Sequence, residues 1–330
     1  MKAALAAAFL AAAMLCAASG AVAEDALALE RMIPLANVSG RIDHMAVDLG
    51  RGRLFVAELG NDTVDVVDIA SGKVVHRLTG LRSPQGIGYA PKTDIVAVAN
   101  AGDGSVHLYR GRDLAASSTV QLGDDADNIR VDRNSGRFIV GYGGGGLAAI
   151  EPATGDVVWR TPLPAHPESF RMNASGTLAF VNLPNARQVA VMDLTTQKPV
   201  GTWRLPGLSS NFPMAFDAAA KRVAVVFRSP ALLTLLDPAS GAISEQADTC
   251  GDSDDVFFDE QRHRIYVTCG SGDLDVFDAA PGQLRLLKRI ATDVGARTSL
   301  FVPELDRLFV ARRARLLGSN ATILVFRPAG

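Results

Sequence analysis

The sequence predicts an all-β fold, a seven-bladed β-propeller whose last blade is closed by an N-terminal strand. First, an apolar strand followed by a turn residue recurs at intervals of 41 to 49 residues. Second, each repeat but the last has room for four short strands, as a propeller blade requires. Third, the chain ends on the third strand of its repeat, at 321–330, while an unassigned strand lies at Leu27–Leu35. In a closed ring, the N-terminal strand can complete the last repeat, whereas a linear stack of repeats does not need that arrangement.

The number of repeats follows from the residues that end the third strand of each. These residues are Asp68, Arg110, Glu151, Asp193, Asp237, Asp278 and Arg327. Turn formers come after several of them, as in Ala70-Ser-Gly-Lys73 and Ala153-Thr-Gly-Asp156, where glycine supplies the positive φ of a tight hairpin. Seven repeats predict seven blades.

The first 23 residues have the composition of a secretory signal peptide. Lys2 precedes an apolar run, Ala3–Cys16, that is too short to span a bilayer comfortably, and Ala21-Val-Ala23 provides a small-residue cleavage site. The sequence therefore predicts residues 1–23 as a signal peptide and 24–330 as one propeller domain, secreted or periplasmic. We expect a monomer with no membrane span after signal cleavage.

Charge limits the possible partners. The chain has 33 Lys and Arg against 35 Asp and Glu, a net charge of −2. This balance excludes the basic surface that duplex nucleic acid needs. We expect a small molecule or a periplasmic protein as the partner instead.

Two cysteines remain beyond the signal segment, Cys250 and Cys269, and both fall in the sixth repeat. They flank two strands that should pair, at Phe257–Asp259 and Ile265–Val267, so both lie at the same end of a hairpin. In an oxidising compartment a disulfide is the expected state. A reactive thiol or a metal pair is the alternative, although no histidine accompanies either cysteine.

Polar side chains concentrate where the first strand of each repeat begins. The first strand of every blade lines the central channel of a propeller, so these positions should converge around one mouth. The candidate ligand-binding residues are Asp43, His44, Gln85, Asp127, Asn128, His166, Glu168, Asn211, Asp254, Asp255 and Arg297. Such an excess of carboxylates requires that some are protonated, that some pair with Arg41 and Arg297, or that a cation lies among them.

A purely structural role for these polar residues is the alternative. Polar residues at this position often cap backbone groups or bond neighbouring blades. His44 and His166 lie three blades apart and could face each other across the mouth, yet each could equally be a hydrogen-bonded structural histidine. The glycine pattern Gly141–Gly146 matches a dinucleotide-binding motif, but a strand rather than a helix follows it, which predicts a hairpin turn.

The strand sequences resemble a known family. Arg53-Leu-Phe-Val-Ala57 returns as Arg264-Ile-Tyr-Val-Thr268 and Arg307-Leu-Phe-Val-Ala311, and these segments are similar to the YVTN-repeat family of secreted bacterial β-propellers. The resemblance implies a WD40-like propeller over the whole mature chain. It leaves function open, since related propellers include ligand binders, quinoprotein subunits and metal-dependent lactonases. Residues 149–159 also resemble the tryptophan-docking motif of quinoproteins, although only this blade shows it well.

The sequence is compatible with three functions. The first is a non-catalytic periplasmic binding propeller that holds a small ligand or protein partner over the channel mouth. The second is a lactonase-like hydrolase that uses a divalent cation such as calcium. Its metal ligands would be Asp127, Asn128, Glu168 and Asp254, with His44 or His166 as the general base. The third is a redox companion subunit, for which no ligand set for a redox centre is visible.

Overall fold

The computed structural model describes residues 26–315 and 320–330, which form seven four-stranded antiparallel sheets. The predicted signal peptide, residues 1–23, lies outside the described residues. Among those that are described, no helix is long and apolar enough to cross a membrane.

Each of the first six blades consists of four strands consecutive in sequence, which run in order from the channel to the rim. Blades 1 to 3 contain β2 (Met45–Asp48), β3 (Arg53–Glu58), β4 (Thr63–Asp68), β5 (Lys73–Leu78), β6 (Pro84–Ala90), β7 (Ile95–Asn100), β8 (Ser105–Arg110), β9 (Ala116–Gln121), β10 (Ala126–Val131), β11 (Phe138–Tyr142), β12 (Gly146–Ile150) and β13 (Val157–Pro162). Blades 4 to 6 contain β14 (Phe170–Met172), β15 (Leu178–Leu183), β16 (Gln188–Asp193), β17 (Lys198–Arg204), β18 (Ser209–Asp217), β19 (Arg222–Ser229), β20 (Ala231–Leu236), β21 (Ile243–Asp248), β22 (Ser253–Asp259), β23 (Arg264–Cys269), β24 (Asp273–Asp278) and β25 (Arg285–Ala291).

The seventh blade joins the two ends of the chain. Its strands are β26 (Ser299–Val302), β27 (Arg307–Arg312), β28 (Ala321–Pro328) and, outermost, β1 (Leu27–Leu35). β1 pairs antiparallel with β28 from Leu27 opposite Pro328 to Leu35 opposite Ala321. The predicted closure of the last blade by an N-terminal strand is therefore confirmed.

Outside the strands, the described residues contain three single-turn 3-10 helices, at Leu59–Asn61, Pro184–Ala186 and Pro303–Leu305. The glycine-rich segment forms the predicted hairpin turn between β11 and β12, with positive φ at Gly143 and Gly145.

The hydrophobic core lies between the blades rather than at the centre of the ring. The buried residues described here form seven clusters, each spanning two neighbouring blades. The cluster between blades 7 and 1 contains Ile33 and Leu35 from β1 together with Leu54 and Val56 from β3. Trp159 and Trp203 pack into two of these clusters. Apolar side chains thus fill the interfaces between blades, and the inner strands are free to carry polar residues.

Cys250 and Cys269 form a disulfide, with their Cα atoms 5.8 Å apart. Cys250 precedes β22 and Cys269 ends β23, so the bond joins the ends of a hairpin as the sequence predicts. The bond is buried in the cluster between blades 5 and 6.

Candidate functional site

The candidate site lies at the upper mouth of the channel, which we define as the face where the inner strands β2, β6, β10, β14, β18, β22 and β26 begin. The lower mouth is the opposite face, where these strands end. Asp43 and His44 directly precede β2, while His166 and Glu168 precede β14. The other candidates lie in the first residues of the inner strands, except Arg297, which lies two residues before β26.

The backbone geometry at the upper mouth recurs around the ring. Ser83, Asp125, Ser210 and Asp252 occupy equivalent positions at the start of blades 2, 3, 5 and 6, and all four have positive φ. A register shift follows each of them. Such bulges bend a strand and redirect its side chains, and they are frequent beside functional sites.

The bulged positions include several of the candidate residues. Asp127 and Asn128 fall in the shift of β10, and Asp254 falls in the shift of β22. Gly86, in the shift of β6, permits close packing of blades 2 and 3, since a Cβ there would lie 2.0 Å from the Asp127 carbonyl oxygen. The ring wall thus fixes the backbone of Asp127.

Ion pairs connect residues from different blades across the upper mouth. Arg41 Nη2 lies 2.8 Å from Asp43 Oδ2 in its own blade and 3.7 Å from Asp254 Oδ2 in blade 6. Surrounding protein desolvates Arg41 and would lower its pKa, but the charges of Asp43, Asp254, Asp127 and Glu168 raise it. These four carboxylates belong to blades 1, 6, 3 and 4, so the charges of four different blades act on Arg41.

His44 bridges two carboxylates. Its Nε2 lies 3.6 Å from Asp43 Oδ1, and its Nδ1 lies 3.7 Å from Asp255 Oδ2. Asp255 Oδ2 also accepts a hydrogen bond from the Ser299 backbone NH at 2.8 Å. Burial would lower the pKa of His44, but Asp255, followed by Asp43 and Asp127, raises it to about 9. The imidazole is therefore a cation at neutral pH.

His166 is held in a similar way. Its Nδ1 lies 2.6 Å from the Gly143 carbonyl oxygen in the glycine turn, and its Nε2 lies 3.7 Å from Asp127 Oδ2. Burial would lower the pKa of His166, but Asp127, the Gly143 carbonyl and Asp125 raise it to about 9. Because Asp127 also raises the pKa of His44, the charge of this one carboxylate acts on both histidines.

Burial raises the pKa of several carboxyl groups at the mouth. Burial and the charge of Asp127 raise the pKa of Glu168 to about 7. Burial and the charge of Asp43 raise the pKa of Asp254 to about 6, against the opposing effect of Arg228. Burial also raises the pKa of Asp43. Protonation of some carboxyl groups, one of the three possibilities raised from the sequence, is thus part of how the mouth accommodates its acids.

Arg228 is a residue of the upper mouth that sequence reasoning missed. It lies near the end of β19, a second strand, so an alignment of the inner strands did not include it. Its Nη2 donates to Asp254 Oδ1 at 2.6 Å, and its Nη1 lies 3.3 Å from Asp252 Oδ1. The guanidinium lies over the Phe212 ring, 3.7 Å from the centroid. The second strand of each blade ends at this face. A charged residue near the end of a second strand, such as Arg228 in β19, could therefore have been predicted to reach the mouth.

The remaining candidates contribute less to the network. Arg297 pairs with Asp252 at 3.0 Å. Asn211 is buried and donates through Nδ2 to Asn182 Oδ1 and to the Gln188 carbonyl oxygen, which links blades 5 and 4. Gln85 is half-buried at the second position of β6. The structural interpretation therefore fits Asn211 better than a binding role does.

Several buried acceptor atoms at the mouth have no hydrogen-bond donor within the protein. They are Asp43 Oδ2, Asp127 Oδ1, Asn128 Oδ1, Asn211 Oδ1 and Asp254 Oδ2. Two of these five oxygens, on Asp43 and Asp254, lie near the Arg41 guanidinium without forming a hydrogen bond to it. Buried polar groups usually have a partner, so the mouth is suited to a molecule that donates hydrogen bonds.

Metal binding has less geometric support. Within residues 26–315 and 320–330, no group of three or more His, Cys, Asp and Glu side chains is arranged to hold a metal ion. Asp127, Glu168 and Asp254, from the predicted ligand set with Asn128, form no such group. The calcium-dependent alternative, with His44 or His166 as the base, stays a prediction from the sequence.

The fold and the upper mouth define a seven-bladed β-propeller with a polar, charge-rich channel opening. A family model described as "Outer membrane protein assembly factor BamB" matches residues 36–247. The chain therefore belongs to this propeller family. The narrower YVTN-repeat assignment stays a prediction.

Among solved structures, the chain is similar to Kuenenia stuttgartiensis hydrazine synthase, with a TM-score of 0.76 and 14% identity. The match covers 87% of this chain and 96% of that chain. At this identity the likeness shows the fold alone. No curated protein sequence matches the chain.

Proposed function

We propose that this protein is a non-catalytic, periplasmic binding propeller whose upper mouth holds a cationic hydrogen-bond donor, such as a lysine or arginine side chain of a protein partner or a small organic cation. The observation that carries the proposal is the set of buried acceptor oxygens without a protein donor, on Asp127, Asn128 and Asp254. A guanidinium or ammonium group supplies several donors at once and carries the charge that the carboxylates favour.

The charge balance of the mouth supports a cation over an anion. At pH 8, above the pKa values of Glu168 and Asp254 and below those of both histidines, seven carboxyl groups face five basic groups: the acids are Asp43, Asp125, Asp127, Glu168, Asp252, Asp254 and Asp255, and the bases are Arg41, His44, His166, Arg228 and Arg297. An arriving cation stabilises the ionised forms of Glu168 and Asp254, whose pKa values are raised to about 7 and about 6. Affinity should therefore rise between pH 5.5 and pH 8 as these groups ionise.

The family supports a protein as the source of the cation, because its model is described as an assembly factor for outer membrane proteins. The signal-like N terminus and the disulfide support the periplasmic location. No observation favours the hydrolase or the redox subunit over a binder. Basic residues of a partner would contact the mouth, and the fixed ring would lower the entropic cost of binding.

Calorimetric titration at pH 8 should show that N-acetyl-arginine amide binds about tenfold more tightly than N-acetyl-citrulline amide, its neutral isostere. The Asp254→Asn and Glu168→Gln variants should each lose most of this preference, since each removes a carboxylate from the mouth. The control is Glu304→Gln, an equal change of charge at an exposed position near the lower mouth. Equal affinity for both probes in the unmodified protein, or full retention of the preference in both mouth variants, would contradict the proposal.

A further inference from the structure

The lower mouth of the channel contains a second cavity, separate from the site described above. Its volume is about 580 Å³, within the range of small-molecule sites. Five blades, 3 to 7, contribute its wall through the ends of their inner strands. Residues that line it include Arg130, Arg171, Met172, Phe216, Phe257 and Phe301.

Two arginines in this wall have no carboxylate partner among the described residues, although the Arg130 guanidinium lies over the Phe170 ring, 5.7 Å from its centroid. Arg130 Nη1 donates to the Ile129 carbonyl oxygen at 2.7 Å, and its Nε is buried without an acceptor. Arg171 Nη1 donates to the Phe170 carbonyl oxygen at 3.0 Å and to Ser169 Oγ at 3.3 Å. In the described part of the chain, neither guanidinium forms an ion pair with a carboxylate. Charged groups inside a protein are normally paired, so these two are exceptions.

Burial and mutual repulsion make the charged forms of Arg130 and Arg171 less stable. Desolvation lowers the pKa of Arg130 to about 10, although the charges of Asp255 and Asp127 oppose the shift. Desolvation and the charge of Arg130 lower the pKa of Arg171. The two guanidiniums therefore repel each other inside the ring. An anion between them would remove that repulsion and satisfy their free donors.

Acidic residues on the rim of the cavity already have protein partners. Asp132 accepts hydrogen bonds from Asn134 and Ser135. Asp259 is bound by Arg262 and by the Tyr266 hydroxyl, and Glu260 accepts from the Ala218 backbone NH. These acids are therefore held by other groups, and none of them forms an ion pair with Arg130 or Arg171 among the described residues.

Apolar and aromatic side chains form a further part of the wall, beside polar rim residues such as Asn134, Asn173 and Gln261. Phe216, Phe257 and Phe301 come from three successive blades, and Met172 adds a flexible thioether. Inorganic phosphate would use only the arginines and leave this apolar surface without a contact. An aromatic or branched apolar body attached to an anionic head would use both features.

We propose that the lower mouth binds a small organic carboxylate, with its anionic head between Arg130 and Arg171 and its apolar body against Phe216, Phe257 and Phe301. The planar guanidinium presents donors in the geometry that a carboxylate accepts in pairs. This site is independent of the cationic ligand proposed for the upper mouth, and either could exist without the other.

The proposal is tested by calorimetric titration with 4-phenylbutyrate and its neutral amide, 4-phenylbutyramide. The acid should bind about tenfold more tightly than the amide. Arg171→Met and Arg130→Met should each abolish the preference for the acid. Arg133→Met, which removes the same charge from an exposed position lining the same cavity, should preserve it. Inorganic phosphate should not displace the acid at equal concentration.

Thermal melting separates loss of the site from loss of the fold. Arg171→Met removes an unpaired charge from inside the ring, so this variant should melt at the same or a higher temperature than the unmodified protein. A substantially lower melting temperature would show that the guanidinium is structural and would overturn the proposal. Equal affinity for acid and amide, no heat from either probe at millimolar concentration, or an unchanged preference in Arg171→Met would also overturn it.

Discussion

Replacing Ile33 with aspartate should lower the melting temperature by about 10 °C or more, because it places a carboxylate in the seam that closes the ring. Ile33 lies in β1, pairs with Ile323 in β28, and is 1% exposed. It packs in the cluster between blades 7 and 1 with Phe309 and Leu54. The buried residues of this cluster are apolar, so the new carboxylate would lose its hydration without gaining a partner among them. Opening the seam would also expose the edge of β28 to other chains.

The matched control is Met32→Asp on the same strand. Met32 is 55% exposed, pairs with Leu324 and points away from the seam. This variant should melt within a few degrees of the unmodified protein. Circular dichroism gives both melting temperatures. Similar values for the two variants would contradict the role assigned to β1 in closing the ring.

Removing the disulfide should destabilise the protein by about 3 kcal/mol, since the bond closes a loop between residues 19 apart in the chain. In a protein of this size that loss corresponds to a fall of roughly 5 °C in melting temperature. The variant is Cys250→Ala combined with Cys269→Ala, which keeps a small apolar side chain at both buried positions. Denaturant titration gives the change in the free energy of unfolding.

Reduction provides the control for the disulfide. Dithiothreitol should lower the melting temperature of the unmodified protein and leave that of the double alanine variant unchanged. If the double variant were as stable as the oxidised protein, the disulfide would contribute nothing to the fold. An equal effect of dithiothreitol on both proteins would show that the reductant acts elsewhere.

The architecture was predictable because a propeller repeats a local pattern. Each blade's strands are consecutive in sequence, so the spacing of turn residues such as Asp68 and Arg110 was enough to count them. The closure was predictable because the last repeat lacked a strand and Leu27–Leu35 had no other partner. The disulfide followed from the antiparallel pairing of two neighbouring strands, which places Cys250 near Cys269.

The candidate site was only partly predictable, because its contacts cross the ring. Alignment of the inner strands identified Asp43, His44, Asp127 and Asp254, yet no local pattern gives the distance between Arg41 and Asp254 in another blade. Arg228 was missed because it reaches the mouth from a second strand.

Arg130 and Arg171 were missed for a different reason. They lie in the middle and lower parts of the inner strands, whereas the alignment considered the residues where those strands begin. Their lack of ion pairs becomes visible only once every neighbouring blade is in place.

Carboxylates from different blades should hold both His44 and His166 as cations at neutral pH. Nuclear magnetic resonance titration of the imidazole protons tests this claim directly. Both histidines should titrate with a pKa of about 9. His107, whose pKa is lowered by burial in β8, should lose its proton at a much lower pH than His44 and His166. Asp255→Asn should lower the pKa of His44, and Asp127→Asn should lower that of His166. If His44 and His166 both titrated near 6.5, the ordinary value for histidine, the acids would not surround them and the upper mouth would not be the site described here.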